Sequence, residues 1–329
     1  MGEFDLITKY FVRASPVAGG VVQGPGDDCA LLSPKPGMQL AISTDLLIEG
    51  RHFLSTVSPK SLGHKSLAVN LSDLAACGAR PVAFTLALSL PQIDEAWLEG
   101  FSRGLFALAD EHDCALIGGD TTRGPLSICI TVFGEVPAGA ALLRSGAKVG
   151  DDIYVSGTLG DARLALEIFR GTVRNAPTEV FQLARDRLER PTPRVALGQA
   201  LRGIATSAID VSDGLCGDLG HILQRSGVGA VIDTSLMLDL MASQSAWTRT
   251  LSGGQDATPA LDWVLSGGDD YELAFTAPPD ARAALMAAAQ AARTRVTRIG
   301  FIRAEPGLQL QNGKGQPVAR RTASFDHFG

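Results

Sequence analysis

Five times along this sequence an Asp stands beside Gly, Ser or Thr at the end of an apolar run. The five are Gly26-Asp27-Asp28, Ser43-Thr44-Asp45, Gly118-Gly119-Asp120-Thr121-Thr122, Asp210-Val211-Ser212-Asp213-Gly214 and Gly267-Gly268-Asp269-Asp270. Asp73 joins them from a stretch with helical spacing, Asn70-Leu71-Ser72-Asp73. Short apolar runs bounded by such residues read as buried strands. A carboxylate set against a buried strand end must be satisfied there. The pattern therefore points to a fold with several buried strands whose ends deliver acidic groups.

The remaining periodicity supplies the helices. Residues 3–12 read as a short amphipathic helix and 38–44 as a strand ending at Asp45. Over 59–77, Leu62, Leu67, Leu71 and Leu74 form one face, while Ser66, Asn70, Asp73 and Cys77 form another. Residues 82–90 read as a buried strand, and Asp94 caps a helix with the stripe Trp97, Phe101, Leu105 and Leu108. Strands follow at 115–117 and 126–136, then a Pro/Gly/Ala stretch at 137–141. The boundary is placed there, giving an N-terminal domain over 1–137 and a C-terminal one over 138–329, in line with a prior of about 150 residues per domain. The second half reads as strands at 152–155, 205–211, 230–233, 271–275 and 295–302. Its helices are at 161–169, 178–188 and 215–223, with an Asp280-capped one at 280–292. Residues 15–26 and 248–259 read as loops. Strands alternating with helices predict a mixed α/β (α+β) class in both halves.

Composition excludes several functions. A net charge of −6 argues against a nucleic-acid surface, which needs a basic face. The longest apolar run, about nine residues, is too short to span a bilayer. The acidic N-terminus does not resemble a signal peptide. The cysteines (Cys29, Cys77, Cys114, Cys129 and Cys216) are odd in number and form no C-x-x-C pair, so free thiols in a reducing cytoplasm are expected.

Neither a P-loop, nor a dinucleotide fingerprint, nor a protein-kinase loop, nor an H-E-x-x-H helix is present. The acidic set therefore carries the chemistry. Any one such Asp is most simply an Asx turn or a helix cap, and Asp213 could cap the following helix. Together, convergent carboxylates repel unless cations lie between them. Oxygen ligands without His or Cys point to Mg²⁺.

These motifs, taken in order, resemble the thiamine-monophosphate kinase family. The resemblance is carried by Gly-Asp-Asp-Cys-Ala-Leu-Leu (26–32), Ile-Ser-Thr-Asp (42–45), Ala-Val-Asn-Leu-Ser-Asp-Leu-Ala-Ala (68–76) and Gly-Gly-Asp-Thr-Thr-Arg-Gly (118–124). In the second half Arg-Ser-Gly-Ala-Lys (144–148), Ile-Asp-Val-Ser-Asp-Gly (209–214), Ser-Gly-Gly-Asp-Asp-Tyr-Glu-Leu (266–273) and the Phe-Asp-His-Phe close (325–328) continue it. The resemblance implies a two-domain subunit whose N-terminal sheet pairs with that of a second copy into a barrel, giving a homodimer. It implies ATP as co-substrate, thiamine monophosphate as acceptor and several Mg²⁺ ions. By motif, Asp28, Ser43, Thr44, Asp45, Asp73, Asp120, Asp210 and Asp213 match metal ligands. Gly119, Asp120, Arg144 and Ser212 match ATP contacts, and His52, Asp269 and Phe325 match substrate contacts. Read alone, an Arg in a loop, a single His and a Phe near the end of a chain carry no such signal. Two positions depart from the family pattern: Asp269 stands where Glu is common, and Phe325 where Tyr is frequent.

The acceptor is a phosphate monoester with a second pKa of about 6, largely dianionic at pH 7. No general base is expected, and the sequence offers no obvious one. Three other readings stay open: another ATP-dependent synthetase of the same superfamily, a two-metal phosphohydrolase, and a nucleotide-binding scaffold without turnover.

Overall fold

The computed structural model describes residues 2–13, 20–243 and 259–320. The chain divides into two compact units, Met1–Leu74 with Ala79–Ala141 and Ala75–Gly78 with Leu142–Gly329.

In chain order the first unit runs α1 (Glu3–Tyr10), β1 (Val21–Gln23), β2 (Leu31–Leu32), β3 (Met38–Ile48) and α2 (Pro59–Ala76). It continues with β4 (Arg80–Leu90), α3 (Glu95–Glu111), β5 (Ala115–Arg123) and β6 (Ser127–Pro137). β1 and β2 pair with each other, and the other four strands form a sheet in the order β3-β6-β4-β5. β3, β6 and β4 are antiparallel neighbours. β4 and β5 run parallel, and α3 makes the crossover between them. The Asp94 side chain caps α3 by accepting the Trp97 N–H at 3.0 Å. In β6, Ile128, Ile130 and Val132 are buried on the face that α2 covers, while Cys129, Thr131 and Phe133 lie half-exposed on the other.

Two strands outrun their expected ends. β3 continues through Asp45 to Ile48 because its ladder with β6 is unbroken, and β5 carries Gly118 to Arg123 along β4. The Asp45 and Asp120 motifs thus lie inside strands rather than at their ends. Among the described residues the sheet is not closed: β3 and β5 are its edges, and Leu40, Ile42, Leu46 and Ile48 on one face of β3 are exposed.

The second unit runs β7 (Asp152–Ser156), α4 (Asp161–Phe169), α5 (Thr178–Glu189), α6 (Val195–Ala200), β8 (Ser207–Val211), α7 (Leu215–Ser226) and β9 (Gly229–Asp233). It ends with α8 (Pro259–Ser266), β10 (Glu272–Ala277), α9 (Arg282–Ala291), β11 (Val296–Arg303) and β12 (Gly307–Gln311). Its six strands take the order β12-β9-β11-β7-β10-β8, antiparallel except for β12 beside β9. Every residue of the inner strands β7 and β10 is buried, and so is every residue of β8 at the edge of the sheet. Ile153, Val155, Leu164, Ile209, Leu219, Ile232 and Val264 belong to one continuous core.

Asp280 does not cap a helix. It lies in a 3₁₀ turn, Pro279–Ala281, and α9 starts after it with Ala281 at the cap position and no side-chain bond. Of the expected 15–26 loop, residues 21–23 form β1. The expected 248–259 loop lies outside the described residues except for Pro259, which opens α8.

Candidate active site

In the first unit the polar stripe of α2 faces β3. Ser66, Asn70 and Ser72 are buried. The Ser66 hydroxyl donates to the Leu62 carbonyl at 2.7 Å, and the Asn70 amide donates to the Ser66 carbonyl at 3.0 Å. The Asn70 amide oxygen is thereby turned outward, where it takes the Asp45 N–H at 3.1 Å. One turn on, the Asp73 carboxylate accepts from the Ser43 hydroxyl. Ser43 and Asp45 project from the same face of β3, because they are two residues apart. Thr44 projects from the opposite face, where its Oγ1 is 2.9 Å from Thr131 Oγ1. The structure thus brings Ser43, Asp45 and Asp73 together, with the Thr44 hydroxyl on the other side of the sheet.

His52 follows β3 in a turn closed by its N–H onto the Ile48 carbonyl at 3.0 Å. Its Nδ1 accepts the Ile48 N–H at 3.0 Å. That bond places the proton of the neutral ring on Nε2. The buried Lys65 ammonium donates to the His52 carbonyl at 3.2 Å, which ties the turn to α2.

At the other edge of the sheet a cavity of about 310 Å³ opens. Asp27, Asp28, Gly118, Gly119, Asp120 and Thr121 supply its polar lining, and Ile7, Phe11, Ala30, Leu116 and Ile117 supply apolar wall. Asp28 and Asp120, 92 residues apart in sequence, therefore line one hollow. Gly119 is required there. Its φ is +147°, and a Cβ would lie 1.8 Å from the Leu86 carbonyl oxygen of β4.

The second unit gathers the other motif residues. Asp210 is buried on β8. The turn after β8 carries Ser212 and Asp213, and Asp213 is not the cap of α7, whose cap position is Gly214 with no side-chain bond. Asp218, four residues on, reaches back instead: its Oδ2 accepts the N–H groups of Asp213 and Gly214, each at 3.1 Å. Burial, and then the Asp213 charge, push the Asp218 carboxyl up to about 7. The 267–271 loop docks on this turn, with Asp269 donating its N–H to the Ser212 carbonyl and Tyr271 to the Val211 carbonyl, both at 2.8 Å. Asp269 and Tyr271 hold φ values of +61° and +51°. Arg144 lies exposed in the segment before β7, where its carbonyl accepts from the Ser226 hydroxyl at 3.4 Å. Phe325 lies outside the described residues.

Beneath the loop is a buried polar network, whose Asp270 and Glu272 stand within the 266–273 motif although the sequence assigned neither a role. Asp270 accepts the Gly160 N–H at 2.9 Å, and its burial raises its carboxyl well above the ordinary range. Glu272 is fully buried and accepts from Arg187 at 2.7 Å, from Arg194 at 2.6 Å through both Nε and Nη2, and from Ser156 at 2.6 Å. Burial in the apolar core pushes the Cys216 thiol up to about 12, which disfavours the nucleophilic thiolate.

The AIR synthase related protein N-terminal domain model matches residues 26–136, and the corresponding C-terminal domain model matches 148–312. The thiamine-monophosphate kinase of Salmonella typhimurium (strain LT2) is 49% identical over 329 residues, spanning 99% of this chain and 98% of that protein. The chain belongs to the thiamine-monophosphate kinase family. A solved thiamine-monophosphate kinase from Stenotrophomonas maltophilia K279a superposes with a TM-score of 0.81 at 48% identity, covering 91% of this chain and 93% of that one. AaThiL complexed with AMPPCP and TMP superposes at 0.72 with 26% identity, covering 95% and 94%. The mixed α/β two-domain fold of this kinase family is thus the fold observed here.

Mg²⁺ is the ion this family resemblance implies. Among the described residues no group of three or more His, Cys, Asp or Glu side chains is placed to hold a metal. The donor set nonetheless fits Mg²⁺. That ion is commonly held by one or two carboxylates, with waters and substrate phosphates completing the shell. Asp28 and Asp120 line one cavity, and Asp45 on β3 and Asp73 on α2 each bond across the β3–α2 contact, so carboxylates occur in the small numbers such an ion takes.

Proposed function

We propose that this chain transfers the γ-phosphoryl group of ATP to the phosphate of thiamine monophosphate, forming thiamine diphosphate and ADP. The observation that carries the reading is full-length kinase-family identity combined with Asp28, Gly119 and Asp120 lining one cavity. A relative complexed with AMPPCP and TMP, an ATP analogue and the acceptor, supports the same pairing of ligands.

The acceptor phosphate is already anionic, so no side chain has to remove a proton. The difficulty is repulsion: two unit charges 4 Å apart oppose each other by about 4 kcal/mol at an effective dielectric of 20. Catalysis is then positioning and charge compensation. Asp28, Ser43, Thr44, Asp45, Asp73, Asp120, Asp210 and Asp213 are assigned to hold Mg²⁺, with Thr44 contributing through its main chain because its hydroxyl faces Thr131. When bound, Mg²⁺ supplies positive charge between the two phosphates and spreads the charge developing in the transition state. Arg144 adds a fixed cation toward the triphosphate, and Gly119 and Ser212 bring main chain and hydroxyl to it. His52, whose Nδ1 is occupied, offers Nε2 to the acceptor phosphate. Asp269 and Phe325 hold the thiamine rings. Asp269, one methylene shorter than Glu, reaches the ring through a water.

The exposed apolar face of β3 supports a homodimer in which a second copy's sheet covers it and completes a barrel. Five unbridged thiols accord with the cytoplasm.

The test is incubation with Mg-ATP and thiamine monophosphate, followed by separation of products. Stoichiometric ADP and thiamine diphosphate, abolished by EDTA, are expected. Free phosphate released from a monoester without ATP would instead identify a phosphohydrolase.

A further inference from the structure

Two carboxylates that this mechanism does not use lie directly beneath the groups it does use. Asp218 grips the turn at 212–214 from within α7, accepting the Asp213 and Gly214 N–H groups at 3.1 Å. Asp270 anchors its own 267–271 loop to the start of α4, its two oxygens 2.9 and 3.0 Å from the Gly160 nitrogen. Between these anchors the turn and the loop are joined main chain to main chain, by Asp269 to Ser212 and by Tyr271 to Val211. The fit leaves no slack. Gly268 sits at φ +69°, and a Cβ there would lie 2.8 Å from the Ser212 carbonyl oxygen. Asp269 and Tyr271 are non-glycine residues at positive φ, a conformation that persists only where its surroundings enforce it.

We propose that Asp218 and Asp270 are positioning residues that lock the 212–214 turn and the 267–271 loop into one rigid piece, so that nucleotide and thiamine monophosphate depend on a shared geometry. The inference rests on the reading that Ser212 contacts the nucleotide, Asp213 holds Mg²⁺ and Asp269 holds the acceptor. In separate pieces, each anchor would matter to one ligand. In a single piece, loosening either anchor displaces both sets of contacts, because the main-chain bonds transmit the shift. Neither carboxylate touches substrate in this arrangement; each acts through the N–H groups it holds.

The experiment measures KM for ATP, KM for thiamine monophosphate, kcat and Tm in Asp218→Ala, Asp270→Ala, Asp218→Asn and Asp270→Asn. Each Ala variant should raise both KM values about tenfold, the equivalent of one lost hydrogen bond. Each Asn variant should restore both to within about threefold, since an amide oxygen accepts the same N–H groups. Gly268→Ala is a second route should an Ala variant not fold: its methyl wedges the loop off the turn, and both KM values should again rise. If Asp218→Ala affects ATP alone and Asp270→Ala thiamine monophosphate alone, the shared piece does not exist. A fall in Tm with both KM values unchanged would mean the carboxylates serve stability only, which overturns the proposal as well. Wild-type protein is assayed first. If it leaves thiamine monophosphate untouched, the functional reading fails and this one falls with it, whereas an active wild type with ligand-specific variants refutes only the positioning role.

Discussion

Asp45 and Asp120 occupy strand positions where packing alone has no use for a carboxylate. Asp45 stands on the face of β3 that looks toward α2, and Asp120 is exposed on β5 at the mouth of a cavity. Replacing either with Asn keeps volume and removes charge. Turnover in Asp45→Asn and Asp120→Asn should fall at least about 100-fold, with Tm shifted by no more than about 2 °C. Near wild-type rates at saturating Mg²⁺ in both variants would exclude the metal assignment. Glu272 is the opposite case, a carboxylate whose role is structural. It is fully buried between Arg187 and Arg194. Glu272→Ala leaves two guanidinium groups without their partner and should destabilise the protein by about 3–5 kcal/mol, measured by urea denaturation.

At the scale of elements, two contacts decide how the layers meet. α2 and α3 cross at glycines: a Cβ on Gly104 would lie 1.9 Å from the Lys60 carbonyl oxygen, and one on Gly63 2.1 Å from that of Phe101. Helix propensity alone favours Ala over Gly by about 1 kcal/mol. Gly104→Ala should nevertheless lower stability by about 1–3 kcal/mol, since the helices must separate; an increase in Tm would refute the close crossing. β7 is tied to its surroundings through Asp152, which bonds Arg282 at 2.6 Å and Arg298 at 2.5 Å. Burial of Asp152 opposes its ionisation, but the two guanidinium groups outweigh it and hold the carboxyl below its ordinary range. A depressed carboxylate contributes stability above its unfolded pKa of about 3.9 and loses it as pH falls through the folded value. Stability of the wild type should therefore drop below about pH 4 more steeply than that of Asp152→Asn. Parallel acid-denaturation curves for the two would remove Asp152 from the account.

At the scale of the whole molecule, the open sheet asks for a partner. Ile42 is 58% exposed at the centre of a row that also includes Leu40, Leu46 and Ile48. If a second copy covers this face, Ile42→Asp should convert a dimer to a monomer in sedimentation velocity. A wild type that sediments as a monomer at micromolar concentration would end that reading.

Much of this was legible in the sequence because it depends on local periodicity. α4 spans the residues expected of it, and Asp94 caps α3. The acidic motifs are local strings, and the ordered set carried the family. Other features were hidden. β3 and β5 extend past their motifs because pairing with β6 and β4 outweighs the Asp, Gly and Thr residues that usually end a strand. The Thr44 side chain, adjacent in sequence to two site residues, faces away, since successive residues of a strand point to opposite sides. Asp270 and Glu272 stood within a motif and Asp218 in none, yet the anchoring role of all three was hidden, because a buried carboxylate is recognised by what surrounds it, and those partners are 4 to 116 residues away. By itself the sequence determined the longer elements, the acidic inventory and the family, all of which follow from nearest-neighbour pattern and composition. The tertiary structure alone decided which carboxylates share a cavity, which hold the backbone and which face of the sheet is left uncovered, because burial and hydrogen bonding between distant segments exist only once the chain has closed on itself.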